Sequence, residues 1–94
     1  MTLPDLVPFD LPMTVRFRGI TRRQGVLVRG AAGWGEWSPF AEYSSPEIDP
    51  WWACAREAAV EGWPAPVRSS VPVNVTIPAV SPADAHARAA ASGC

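Results

Sequence analysis

The sequence predicts an α+β fold: a small antiparallel meander, one amphipathic helix, then a strand-loop-helix unit. Three observations carry that expectation. Gly25-Val26-Leu27-Val28-Arg29 is an apolar run that glycine bounds, and Trp34 to Ser38 answers it across Gly30-Ala31-Ala32-Gly33 with strand-like alternation. Ile48, Trp52, Ala55, Ala59 and Trp63 recur at helical spacing. Val71, Val73, Val75 and Ile77 alternate strictly with Pro72, Asn74 and Thr76, ahead of the helix-start signal Ser81-Pro82-Ala83-Asp84.

Each element has a local justification. Leu6 to Leu11 reads as a first strand, at an edge because Pro8 cannot donate to a ladder. From Met13 to Gln24, Val15 and Phe17 alternate with Arg16 and Arg18, but Gly19 and the arginine-rich end argue for a loop. Val26-Leu27-Val28 is apolar on both faces and belongs in the middle of its sheet. In the returning strand Trp34, Glu36 and Ser38 face one way and Gly35 and Trp37 the other, until Pro39 ends the ladder. Ser45 with Pro46 starts the helix, and Asp49-Pro50 is a competing start one turn on. Gly62, Pro64 and Pro66 stop it, and Pro64 to Arg68 is a linker. Ala85 to Ala91 is helical by propensity, with Gly93 as its C-terminal cap.

Composition bounds what this chain can be. With 94 residues, 48% hydrophobic and five tryptophans, it holds enough apolar surface for one small core. A formal net charge of -1 gives no electrostatic reason to expect nucleic acid or an anionic membrane, although Arg16, Arg18, Arg22 and Arg23 cluster locally. No apolar run reaches the roughly 20 residues of a membrane span, and Met1 to Asp5 lacks the pattern of a signal peptide. Cys54 and Cys94 form neither a disulfide framework nor a zinc pair. A reduced cytoplasmic setting is expected.

The residue chemistry yields no complete catalytic apparatus. His86 sits on an alanine-rich helix with no second ligand at i+4, so it reads as solvated. Cys54 reads as a small core residue. Glu36, Glu42, Glu47 and Asp49 are close in sequence, but capping and solvated roles explain them without a metal. Gly33-x-Gly35 lacks the third glycine and following helix of a dinucleotide fingerprint. The tryptophan cluster reads as core, with a ring available to line a pocket. The final strand-loop-helix unit has no partner strand after it, which suggests the N-terminal piece of a longer protein.

Several stretches in this order resemble the N-terminal part of the enolase superfamily. They are Phe17-Arg18-Gly19-Ile20, Val26 to Gly30, Gly33-Trp34-Gly35-Glu36-Trp37-Ser38-Pro39-Phe40 with Glu42-Tyr43, Gly62 to Arg68, and Val71 to Val80. Within the superfamily the chain is most similar to the actinobacterial o-succinylbenzoate synthase family, whose more usual phenylalanine is Trp37 here.

That resemblance implies a capping domain over residues 1–68 and, over 69–94, the first strand and helix of an incomplete (β/α) barrel. It implies a lyase of menaquinone biosynthesis that dehydrates a cyclohexadiene hydroxy-dicarboxylate. The implied machinery is a lysine base, a second lysine opposite, and carboxylate-held Mg²⁺ stabilising an enediolate. All eight basic residues here are arginine, so these 94 residues alone are expected to be inactive. The implied substrate contacts are two loops, Arg18-Gly19-Ile20 and Ser38-Pro39-Phe40, with Thr76 facing the barrel interior. The implied partners are a small dicarboxylate and the rest of the barrel, with no nucleic acid and no membrane. Two alternatives stand beside this reading. One keeps the fold for N-acylamino acid racemisation, muconate cycloisomerisation or dipeptide epimerisation. The other is a free-standing α+β binding module with the tryptophan cluster as its pocket.

Overall fold

The computed structural model describes residues 4–94. Met1, Thr2 and Leu3, read above for a leader, lie outside the described residues. The chain divides into two compact units, one made of the chain up to Pro12 with Arg22–Ala65, the other of Met13–Thr21 with Pro66–Cys94.

Strands β1 (Asp5–Phe17), β2 (Ile20–Gly30) and β3 (Gly33–Trp37) form one three-stranded sheet in the order β1-β2-β3. The meander and the central place of β2 are as the sequence predicts. Leu27 pairs with Glu36, Val28 with Gly35 and Arg29 with Trp34 in an antiparallel register. Trp34 and Glu36 therefore share one face, and Gly35 and Trp37 the other.

The expected loop between Met13 and Gln24 is instead a continuous hairpin. β1 runs to Phe17 and β2 begins at Ile20, leaving a two-residue turn. Both turn residues have positive φ, Arg18 at 49° and Gly19 at 79°. A type I′ turn demands that, and its twist matches that of the flanking strands. Glycine was read as a strand breaker here, but it is the residue that lets the strand reverse. Between the two strands, Arg22 Nε donates to Asp10 Oδ1 at 2.6 Å and Gln24 Nε2 to Asp10 Oδ2 at 3.1 Å.

Helix α1 (Ser45–Arg56) starts one residue earlier than expected, with Ser44 as N-cap and Pro50 inside it. The Ser44 carbonyl accepts from Glu47 at 2.9 Å and Ile48 at 3.1 Å. The helix continues as a π-helical turn over Glu57–Glu61, closed by the Gly62 amide donating to the Glu57 carbonyl at 2.7 Å. That wider turn breaks the simple helical spacing. Ala55, Ala58 and Ala59 are buried, while Trp63, expected on the same face, is 70% exposed.

The first unit's core is Val28, Ala55 and Ala59, with Trp37 and Val60 packed against it. It is made of small residues because the helix backbone lies directly on the sheet. A Cβ on Gly35 would run into the carbonyl of Ala55, and one on Gly30 into the carbonyl of Ala59. The Ala59 carbonyl also accepts from the Ala32 amide at 2.9 Å, which ties the β2-β3 turn to the helix end. Burying Val28 contributes about 1.5–3 kcal/mol and each alanine less, so close approach has to supply the rest.

In the second unit, α2 (Pro82–Ser92) is capped as predicted. Ser81 Oγ accepts from the Asp84 amide at 3.1 Å, and Gly93 ends the helix at φ 76°. The strand expected over residues 71–77 does not form. Val71, Val73 and Val75 are 67%, 77% and 37% exposed, so the alternation has no inner face. Alternation only prepares a strand; a ladder needs a second backbone, and Pro72 and Pro78 remove two donors of their own.

Two outcomes follow from these contacts. Gly35→Ala lowers stability by about 1–3 kcal/mol through overpacking against Ala55, measured by urea unfolding. Asp10 has its carboxyl held below its ordinary 3.8 by the hydrogen bond from Arg22, with Gln24 second. A depressed carboxylate adds stability above its unfolded value and loses it as pH falls through the folded one. In Arg22→Ala, an NMR titration of Asp10 moves back towards 3.8.

Candidate functional site

The site is built where β3 ends. Pro39 has no amide proton to continue the ladder, and a residue before proline is biased away from helical backbone. The last pair of the register is Val26 with Trp37, so Ser38 lies one residue past it. Ser38 is nevertheless 5% exposed, the sole buried polar residue among those described. Its carbonyl would be costly to leave without a donor. Arg23, reaching across from β2, supplies one: its Nη2 donates to the Ser38 carbonyl at 2.5 Å and lies 3.1 Å from Ser38 Oγ. Ser38 Oγ in turn donates to Glu36 Oε2 at 2.5 Å.

The same guanidinium lies over the Phe40 ring, 4.7 Å from its centroid. Phe40 meets Tyr43 edge-on at 5.8 Å, and Tyr43 meets Trp51 of α1 at 5.5 Å. On the opposite sheet face Trp37 packs edge-on against Trp52 at 6.3 Å. A cavity of about 320 Å³ opens beside this cluster. Gln24, Trp37, Ser38, Pro39, Phe40 and Tyr43 are among its lining residues. An adjoining apolar cavity of about 340 Å³ is lined by Leu6, Val26, Trp37, Ile48, Asp49 and Trp52.

The structure thus brings Ser38, Pro39 and Phe40 together on one cavity wall. Arg18, Gly19 and Ile20 stand together at the β1-β2 turn, in the second unit. Thr76, in that same unit, is exposed on the stretch that forms no strand. Arg18 is the sole non-glycine residue with positive φ among those described. Two readings change. Cys54 is exposed rather than core, and it lines a cavity of about 300 Å³ with Trp34, Glu36 and Trp63. Of the tryptophans only Trp37 packs on the core; Trp34, Trp51, Trp52 and Trp63 are exposed. His86 is exposed on α2, as its sequence context suggests.

Sequence reasoning counted Arg23 only as part of a basic cluster and missed its role. The signal was there in the strand register: Arg23 and Gly25 share a face of β2, and the Gly25 position abuts Ser38. Among the described residues no three His, Cys, Asp or Glu side chains converge as metal ligands, so this segment does not fit a Mg²⁺ site.

A family model described as enolase N-terminal domain-like matches residues 8–59, more than half of the chain. The chain belongs to this family. As an enolase N-terminal domain it has close relatives among o-succinylbenzoate synthases, and the superfamily resemblance read from the sequence is borne out. The synthase of Thermobifida fusca (strain YX) is 63% identical over 86 residues, covering 92% of this chain and 27% of that protein. That of Mycobacterium ulcerans (strain Agy99) is 52% identical over 87 residues, 87% of this chain and 26% of that protein. That of Mycolicibacterium smegmatis is 55% identical over 71 residues, 76% and 22%. This enolase N-terminal domain spans about a quarter of the length of the curated relatives it matches. Among the described residues no helix is long and apolar enough to cross a membrane.

The ring contact at the site predicts a measurable coupling. In a double-mutant cycle, Arg23→Ala and Phe40→Leu couple by about 0.5–1 kcal/mol in unfolding free energy.

Proposed function

We propose that this chain is the capping part of an o-succinylbenzoate synthase. The intact protein would dehydrate 2-succinyl-6-hydroxy-2,4-cyclohexadiene-1-carboxylate to 2-succinylbenzoate in menaquinone biosynthesis, in the cytoplasm. The observation that carries this reading is the 63% identity to the Thermobifida fusca synthase over 92% of the chain.

On this reading residues 1–68 cap the active site and 69–94 begin a (β/α) barrel, supported by the alternation of Val71, Val73, Val75 and Ile77. Pairing with further barrel strands would turn that alternation into a strand, because it would supply the missing ladder. The proton-abstracting lysine and the Mg²⁺ ligands belong to the barrel. A metal held there would supply positive charge beside the substrate carboxylate.

This chain's own residues bind, orient and exclude water. Arg18 presents a guanidinium, the group best matched to a carboxylate, from the tip of a hairpin. Its φ of 49° supports a functional role, since such a conformation costs a non-glycine residue energy and would otherwise fall to asparagine or glycine. Gly19 and Ile20 complete that loop. Ser38, Pro39 and Phe40 supply an apolar wall that keeps water from the reacting carbon. Thr76, nearer the C-terminal end of its strand, would face the pocket. The proposed partners are the dicarboxylate substrate and the rest of the barrel.

The test is an assay of the intact protein with Mg²⁺, on the succinylbenzoate precursor and on N-succinyl amino acids. Turnover of the precursor supports the proposal, and racemisation of the amino acids without it overturns it. Arg18→Asn separates strain from function: it raises the melting temperature by relieving the turn, and raises KM about tenfold or more by removing the charge.

A further inference from the structure

We propose that Arg23 is the positioning residue of the Ser38-Pro39-Phe40 wall, holding it in place for substrate; this rests on the reading that the wall contacts substrate.

Three contacts of one side chain carry the inference. Arg23 Nη2 donates to the Ser38 carbonyl at 2.5 Å and lies 3.1 Å from Ser38 Oγ, and the guanidinium carbon lies 4.7 Å from the Phe40 centroid. They grip the segment on both sides of Pro39. Pro39 can make no amide hydrogen bond of its own, so the segment has little backbone anchorage at that point. The ladder cannot take over either, because its last pair is Val26 with Trp37.

Ser38 Oγ passes the arrangement on by donating to Glu36 Oε2 at 2.5 Å. The chain Arg23-Ser38-Glu36 therefore links β2, the wall and β3. Arginine suits this place for a stated reason. One end of its rigid plane, Nη2, reaches both Ser38 oxygens while the guanidinium carbon lies over the Phe40 ring, and an ammonium, whose charge and donors sit on a single nitrogen, cannot occupy both places at once. The segment Gly33 to Phe40 thus owes the order of its last three residues to a residue outside it.

The experiment uses the intact protein with Arg23→Ala and Arg23→Lys. Amide hydrogen exchange is followed at Phe40–Tyr43 and in β2 and β3, with KM and kcat for precursor dehydration. In Arg23→Ala, exchange at Phe40–Tyr43 rises about tenfold or more while β2 and β3 stay protected, because only the wall is released. KM rises about tenfold with kcat within about twofold, since binding substrate must now order the loosened wall while the complex, once closed, is unchanged. Arg23→Lys does not restore KM. Unchanged exchange at Phe40–Tyr43, an equal rise throughout β2 and β3, or full rescue by lysine overturns the proposal. If the wild-type protein makes no succinylbenzoate, the synthase reading fails, and the exchange measurements still decide whether Arg23 holds the wall.

Discussion

The rest of the first unit depends on how closely the helix backbone lies on the sheet. Gly30 and Gly35 leave no side chain beneath the carbonyls of Ala59 and Ala55, and the core is otherwise Val28 and alanine. Dispersion falls off steeply with separation, so a core with so little side-chain volume gains its cohesion from contact distance. The π turn and the bond from Ala32 to Ala59 belong to the same solution, since they keep the helix end against the β2-β3 turn.

That packing determines what is left over at the end of β3. The glycine-lined face carries Trp37 into the core, where it meets Trp52 edge-on. The other face carries Glu36 outward and leaves Ser38 buried beyond the last ladder pair. A buried peptide carbonyl there needs a donor, and Arg23 is placed to be one. The wall of the cavity is thus a consequence of a strand that must stop at a proline and of a side chain that satisfies what the stop exposes.

Much of this fold was legible because its signals are local. Ser81, Pro82, Asp84 and Gly93 act within a few residues of the helix ends they define, and they do so as read. The β2-β3 hairpin followed from Val26-Leu27-Val28 and the alternation after Gly33. The β1-β2 hairpin was harder to see. Its turn carries arginine where asparagine is usual, and Gly19 was weighed as a breaker although Val15 and Phe17 already alternated. Trp63 misled for another reason: a π turn changes which residues after it face inward, and nothing short-range announces it.

The sequence by itself determined the α+β class, the central strand, both helices with the caps of the second, and the enolase-like N-terminal pattern, because hydrophobic period and capping chemistry act over a turn or a strand. Only the tertiary structure decided that Arg23 meets Ser38 fifteen residues away, that the helix rests on Gly30 and Gly35, and that residues 71–77 stay unpaired. Those outcomes turn on which backbones approach one another. A side chain's reach, a close glycine contact and a ladder each need a partner that the local sequence does not contain.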